Sequence, residues 1–171
     1  SFWSTQDKGV DYKDVFISTA EKNGNNDAML YIHIPYCQQL CYFCTCHMSI
    51  TNNYSKVKEY LNTLYKEIDT LSKFMVDNDI SLSKEVHLGG GSPTFIEEPE
   101  FDVLCDKLSK IVNLHDLDEF AIEVDPRRVK SDRLKYYKDK GINRISLGVQ
   151  DFDINVQRAI NRIQPPSLIE N

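Results

Sequence analysis

Cys37, Cys41, Cys44 and Cys46 fall within ten residues, spaced C-x3-C-x2-C-x-C. Thiolates packed this densely either bind a metal ion or cluster or form disulfides. Disulfides fit poorly. Secreted frameworks spread an even number of cysteines through a short chain, whereas this chain has five, four of them together. A bridge between Cys44 and Cys46, one residue apart, is also a poor geometry. An iron–sulfur cluster is normally held by four thiolates. Three cysteines at this spacing can wrap one corner of a cubane from a single loop and leave the fourth iron open. Zinc takes an overlapping donor set, Cys37, Cys41, Cys44 and one of Cys46 or His47.

Two further segments carry chemistry. In Gly89-Gly90-Gly91-Ser92-Pro93-Thr94, three glycines after a strand allow close backbone approach and expose N–H donors. The run lacks the lysine of a P-loop, and its plain reading is a strand-to-helix turn. Glu123 is an acid amid apolar neighbours, a position that asks for a partner or a function. The plain reading there is an ion pair with Arg144. His33, Gln150 and Arg162 are weighed the same way, as satisfied interior groups or working ones. Cys105 sits on an apolar helical stripe and reads as core; His115 reads as a loop residue.

These residues need a scaffold, and the pattern supplies alternating strands and helices. Strands are expected at 29–34, 85–88, 119–124 and 144–149, with 81–84 as a connector. Helices are expected at 55–78, from about Pro99, at 131–140 and at 153–160, the third ended by Gly141. Residues 1–27 lack clear periodicity, 21–27 reads as a loop, and Pro165-Pro166 breaks regular structure near the end of the chain. Strands and helices alternating on short loops make βαβ units and a parallel sheet.

Strand sidedness narrows the architecture. Tyr31 and His33 oppose Ile32 and Ile34; Glu85 and His87 oppose Val86 and Leu88. Ala121, Glu123 and Asp125 oppose Phe120, Ile122 and Val124; Arg144, Ser146, Gly148 and Gln150 oppose Ile145, Leu147 and Val149. Helices should cover the apolar face of each strand, and the polar face should look at water or a polar ligand. A curved sheet or partial barrel with its ligand in the lumen satisfies this, with active groups at the C-terminal strand ends.

Composition sets the outer limits. The chain has 171 residues, 41% hydrophobic and 27% charged, with a net charge of −6. That is ordinary globular composition and argues against a nucleic-acid surface. No apolar stretch approaches the ~18 residues of a membrane span, and 1–15 is too polar for a signal peptide. A reducing cytoplasm is the expected setting.

Taken together, the motifs resemble a known family. Tyr31-Ile32-His33-Ile34-Pro35-Tyr36-Cys37 with C-x3-C-x2-C is similar to the signature of radical S-adenosylmethionine (SAM) enzymes. Cys46, the Gly89–Thr94 run, Ile122-Glu123-Val124-Asp125-Pro126-Arg127 and Gly148-Val149-Gln150-Asp151-Phe152 narrow the resemblance to the oxygen-independent coproporphyrinogen III oxidases. It covers about 30–164. The resemblance implies an α/β fold, the parallel-stranded partial (β/α)6 barrel of that family. An N-terminal segment (1–28) precedes about four β/α units (29–171), with the remaining barrel units and a C-terminal domain absent.

The resemblance also implies the cofactors. Cys37, Cys41 and Cys44 would hold a [4Fe-4S] cluster, with Cys46 present but not a ligand. Two SAM molecules would bind, one on the cluster against Tyr31, Gly90 and Glu123. The second would contact Phe43, Gly91, Ser92, Gln150 and Arg162. The implied reaction converts two propionates of coproporphyrinogen III to vinyls, giving protoporphyrinogen IX, with electrons from a donor such as flavodoxin or ferredoxin. A haem-chaperone branch is the near alternative. It typically lacks the fourth cysteine and differs around Val124-Asp125-Pro126 and Gln150-Asp151-Phe152, where this chain sides with the oxidases. A zinc-stabilised interaction module is the remote one.

Overall fold

A computed structural model of the chain describes residues 12–23 and 27–170. Its centre is a four-stranded parallel sheet of β1 (Asp27–Ile34), β4 (Ser81–Gly90), β5 (Glu119–Val124) and β6 (Arg144–Leu147), in the order β1-β4-β5-β6. The long crossovers are helices α2 (Tyr54–Asp77), α3 (Glu98–Leu108) and α4 (Ser131–Asp139). Shorter helices α1 (Tyr12–Asn23), α5 (Ile154–Ala159) and α6 (Ser167–Glu170) complete the helical set. Asn53 caps α2 by accepting from the Ser55 N–H at 3.1 Å, and the Asp153 carboxylate caps α5 from Asn155 and Val156, satisfying amides that a helix start leaves open.

Parallel register turns the alternation into rows across the sheet. Ile32 lies beside Leu88, Leu88 beside Ile122 and Ile122 beside Ile145. Ile32, Leu88 and Ile122 of this row and their neighbours Ile34, Val86, Phe120 and Val124 join Val57, Leu61, Leu64 and Ile68 of α2, Phe101, Leu104 and Leu108 of α3, and Tyr137 of α4 in one core. The opposite face carries Tyr31 beside His87, His87 beside Ala121, and Glu123 beside Ser146. The expected polar lumen face is present.

Some sequence expectations are corrected. Residues 81–84 are strand, not connector: β4 is ten residues long, and a register break between Ala28 and Leu30 of β1 absorbs the extra length. The first 27 residues include helix α1; its apolar Val15, Phe16 and Ile17 are consecutive, so they make no helical stripe. The loop expected over 21–27 is helix at 21–23 and strand at Asp27, while 24–26 lie outside the described residues. Strand β6 ends at Leu147, short of Val149. Its apolar side is not covered as expected, because β6 is the sheet edge. Ile145 and Leu147 stay 40% and 48% exposed, bordering grooves that Leu134 of α4 also lines.

Candidate cofactor site

The cysteine loop begins where β1 meets Pro35. Strand β2 (Tyr36–Cys37) pairs in parallel with β3 (Ser49–Ile50), a two-residue ladder that closes the base of the loop. Thr51 N–H donates to the Cys37 carbonyl at 2.9 Å, and Cys44 N–H to that of Cys41 at 3.0 Å. The far side is held by the end of α5. Tyr42 N–H donates to the Ile160 carbonyl, and the Asn161 side chain donates to the Leu40 carbonyl at 2.8 Å. Asn161 takes a left-handed φ of 55° to do so. A sequence pattern gives no sign of such short pairings.

All five cysteines are free thiols. Cys37, Cys41, Cys44 and Cys46 line one cavity of about 330 Å³ at the C-terminal ends of the strands, together with Gly90, Gly91, Ser92, Glu123, Gln150, Arg162 and Phe43. Ten of the eleven residues singled out as ligands or contacts therefore meet on one cavity. Tyr31 does not line it. It lies alongside on the lumen face, half-exposed, stacked on His87 with ring centroids 5.7 Å apart.

Glycines make the cavity possible. A Cβ on Gly90 would lie 2.9 Å from the His33 ring and from the Ile34 carbonyl; its φ is +118°. A Cβ on Gly91 would lie 3.0 Å from the Tyr36 backbone and 3.1 Å from Cys37 Sγ. Gly148 leaves room for the Arg162 and Gln150 side chains. Gln150 itself holds a φ of 68°, a strained setting of the kind that gathers at working sites.

Glu123 does not pair with Arg144, which bonds Glu119 at 2.6 Å instead. Its carboxylate accepts from the Gly90 N–H at 3.1 Å and faces His87 Nε2 at 3.4 Å. His33 is satisfied at both ring nitrogens. Its Nε2 lies 2.8 Å from the His47 carbonyl, which can only accept, so Nε2 donates there, and Nδ1 lies 3.2 Å from the Tyr31 hydroxyl. Ser92 is buried, its hydroxyl 3.1 Å from that of Thr94. Cys105 is core, and burial pushes its thiol up to about 12. His115 is an exposed turn residue.

Sequence reasoning missed a charged knot at the back of the cavity. Asp125 is gripped by Arg127 through Nε at 2.9 Å and Nη2 at 2.6 Å, and Arg162 Nη2 reaches it at 3.3 Å. Arg162 also donates to the Gly148 carbonyl at 2.6 Å and to Gln164 Oε1 at 3.0 Å. Gln164 Nε2, beside it, is buried with no partner among the described residues. Burial would raise the Asp125 carboxyl, but the Arg127 hydrogen bond and both arginine charges outweigh it and hold it below the usual range. The residues were visible in sequence; that they meet was not.

Cys37 shows what the thiols do to one another. Burial, then the neighbouring Cys44 and Cys41, push it up to about 11. Such a group stays protonated until a cation arrives to stabilise its thiolate. Among the described residues no three Cys, His, Asp or Glu side chains could hold a single metal ion. Four thiols lining one cavity supply the donor type that an iron–sulfur cluster takes.

A profile of the Radical SAM superfamily matches residues 31–170. The chain belongs to that superfamily. With radical SAM membership come a [4Fe-4S] cluster and SAM as the family's cofactors, and the donor set described above fits the cluster. The chain is 39% identical over 139 residues to an oxygen-independent coproporphyrinogen III oxidase of Pseudomonas aeruginosa, covering 80% of this chain and 30% of that one. It is 36% identical over 160 residues to the enzyme of the same name from Salmonella typhimurium, covering 93% and 34%. The solved structure of coproporphyrinogen III oxidase from Escherichia coli, described as a radical SAM enzyme, superposes with a TM-score of 0.79 at 35% identity, over 91% of this chain and 35% of that one. The radical SAM chain thus spans about a third of the length of these relatives. No helix among the described residues is long and apolar enough to cross a membrane.

Proposed function

We propose that this chain forms the cluster- and SAM-binding part of an oxygen-independent coproporphyrinogen III oxidase. The observation that carries the reading is the single cavity on which Cys37, Cys41, Cys44, the glycine turn and Glu123 converge. The named relatives support the substrate class.

In this reading Cys37, Cys41 and Cys44 would hold the [4Fe-4S] cluster, with SAM bound beside them. When bound, cluster and SAM supply a one-electron cleavage that yields a hydrogen-abstracting radical. The protein's residues position the reactants. Gly90 allows close approach, and Glu123 accepts from ribose hydroxyls or the ammonium of the first SAM, with Tyr31 beside it on the lumen face. A second SAM would be held against Phe43, Gly91, Ser92, Gln150 and Arg162, the last a buried guanidinium already anchored by Asp125 and the Gly148 carbonyl. Each of two propionates loses a hydrogen atom, CO2 and one electron to leave a vinyl group. A one-electron donor of flavodoxin or ferredoxin type feeds the cluster.

Anaerobic reconstitution tests the cofactor reading. About four iron and four sulfide per chain are expected, and Cys41→Ser should lose them. One zinc with no iron overturns it. Incubation with coproporphyrinogen III, SAM and a reductant tests the reaction. Protoporphyrinogen IX is the expected product; bound haem with no product points to a chaperone instead.

A further inference from the structure

Two guanidinium groups aim at one cysteine sulfur. Arg127 Nη2 lies 3.7 Å from Cys41 Sγ and Arg162 Nη1 lies 3.6 Å from it. Both are N–H donors at hydrogen-bonding distance to sulfur. Cys41 is the buried member of the loop set, 7% exposed, and the three charged side chains behind it are 9–13% exposed. The other two thiols lack this. Cys44 Sγ has the thioether of Met48 at 3.7 Å, and around Cys37 the charge of Arg128 is outweighed by Asp125 and the neighbouring thiols.

Asp125 is what keeps Arg127 in place. It takes Nε and Nη2 of Arg127 in a two-point grip, so the guanidinium is fixed in plane with an N–H left directed at sulfur. Arg127 and Arg162 share this one carboxylate, so the pair carries a net positive charge in a place of low water access, where charge acts strongly. Hydrogen bonds to cluster sulfurs and net local charge are among the features that set cluster potentials.

We propose that Arg127 is a positioning residue that, clamped by Asp125, holds an N–H on the Cys41 sulfur and so raises the reduction potential of a cluster bound there. The inference rests on the cluster reading above. A donor N–H and a nearby cation draw electron density from the thiolate, which favours the reduced, more negative cluster. The same contact makes the Cys41 corner electronically unlike those of Cys37 and Cys44.

The test is a redox titration, followed by electron paramagnetic resonance, of anaerobically reconstituted wild type, Arg127→Gln and Arg127→Lys, with iron and sulfide measured on each sample. Arg127→Gln is expected to keep its iron and to shift the midpoint to lower potential. Arg127→Lys, which keeps the charge without the fork, should fall between it and wild type. Equal midpoints in iron-loaded wild type and Arg127→Gln overturn the inference. If Arg127→Gln loses iron, Arg127→Lys decides: a lowered midpoint supports the role, and an unchanged one overturns it. Loss of iron from both variants overturns tuning in favour of a structural role. A wild type that binds no iron refutes the cluster reading itself, a result distinct from all of these.

Discussion

Glu123 Oε2 accepts a hydrogen bond from the backbone N–H of Gly90 at 3.1 Å. The bond ties the acid of β5 to the glycine turn of β4 and fixes both against the cavity. One carboxylate oxygen thus orients the turn, while the other faces His87 and the lumen. Hydrogen bonds to charged groups contribute about 1.5–3 kcal/mol. Glu123→Ala is therefore expected to weaken SAM binding roughly 10- to 100-fold while cluster iron stays at wild-type level. Glu123→Gln, which keeps an acceptor for Gly90, should lose less. Equilibrium binding of SAM to reconstituted protein measures both, and unchanged affinity in Glu123→Ala would remove Glu123 from the site.

Gly90 and Gly91 predict two different failures. An alanine at Gly90 must adopt a φ of +118° and meets the His33 ring at 2.9 Å, so the cost falls on the fold. Strained backbone of this kind costs about 1–3 kcal/mol, and Tm should fall by roughly 2–4 °C per kcal/mol. At Gly91 the methyl meets the Tyr36 backbone and Cys37 Sγ, so the cost falls on the cysteine. Gly91→Ala should lose iron with a smaller change in Tm. Melting curves and iron analysis on both variants separate the two effects.

Local pattern and long-range meeting were not equally legible in the sequence. Strand 119–124 has the expected bounds because its alternation is clean and Pro126 follows it. The strand at 81–84 reads as a connector because its length is set by a register break in another strand, β1, which no local window contains. The β2–β3 ladder is two residues long, too short for any period to show. For the site, the motifs pointed to residues that lie together, since Cys37, Gly90, Glu123 and Gln150 line one cavity. The knot of Asp125, Arg127 and Arg162 on Cys41 was not legible: its partners lie up to 121 positions apart, and no local window holds them together.

The scaffold under the site depends on Phe101. Its ring is fully buried between α3 and α4, with centroids 5.9 Å from Tyr136 and 5.0 Å from Tyr137. Truncation leaves a cavity that the packed tyrosines, tied through Arg133 and Asp102, are poorly placed to fill. Phe101→Ala should cost about 3–5 kcal/mol, read as a lower urea midpoint with unchanged slope. Phe101→Leu should cost clearly less. Equal losses would mean that ring packing, not volume, is what the site requires.

A charged tie between α2 and α3 sets a pH dependence. Glu100 sits 2.9 Å from Lys58 Nζ and accepts from Tyr54 O–H at 3.1 Å, and that phenol oxygen accepts from the Glu97 N–H at 2.7 Å. Burial would raise the Glu100 carboxyl, but the Lys58 and Tyr54 hydrogen bonds outweigh it and the net shift is downward. A carboxyl lowered in the folded state contributes stability above its unfolded value of about 4.3 and loses it as pH falls through the folded value. The Tyr54 phenol is raised, chiefly by burial and also by Glu100. Its contribution is complete below its unfolded value of about 10 and is lost as pH rises through the folded one. Urea midpoints measured from pH 7 to pH 3 should therefore fall less steeply in Glu100→Gln than in wild type. Tyr54→Phe should flatten the alkaline limb. An acid limb equally steep in Glu100→Gln would assign acid sensitivity to other carboxylates, with Asp125 the foremost of them.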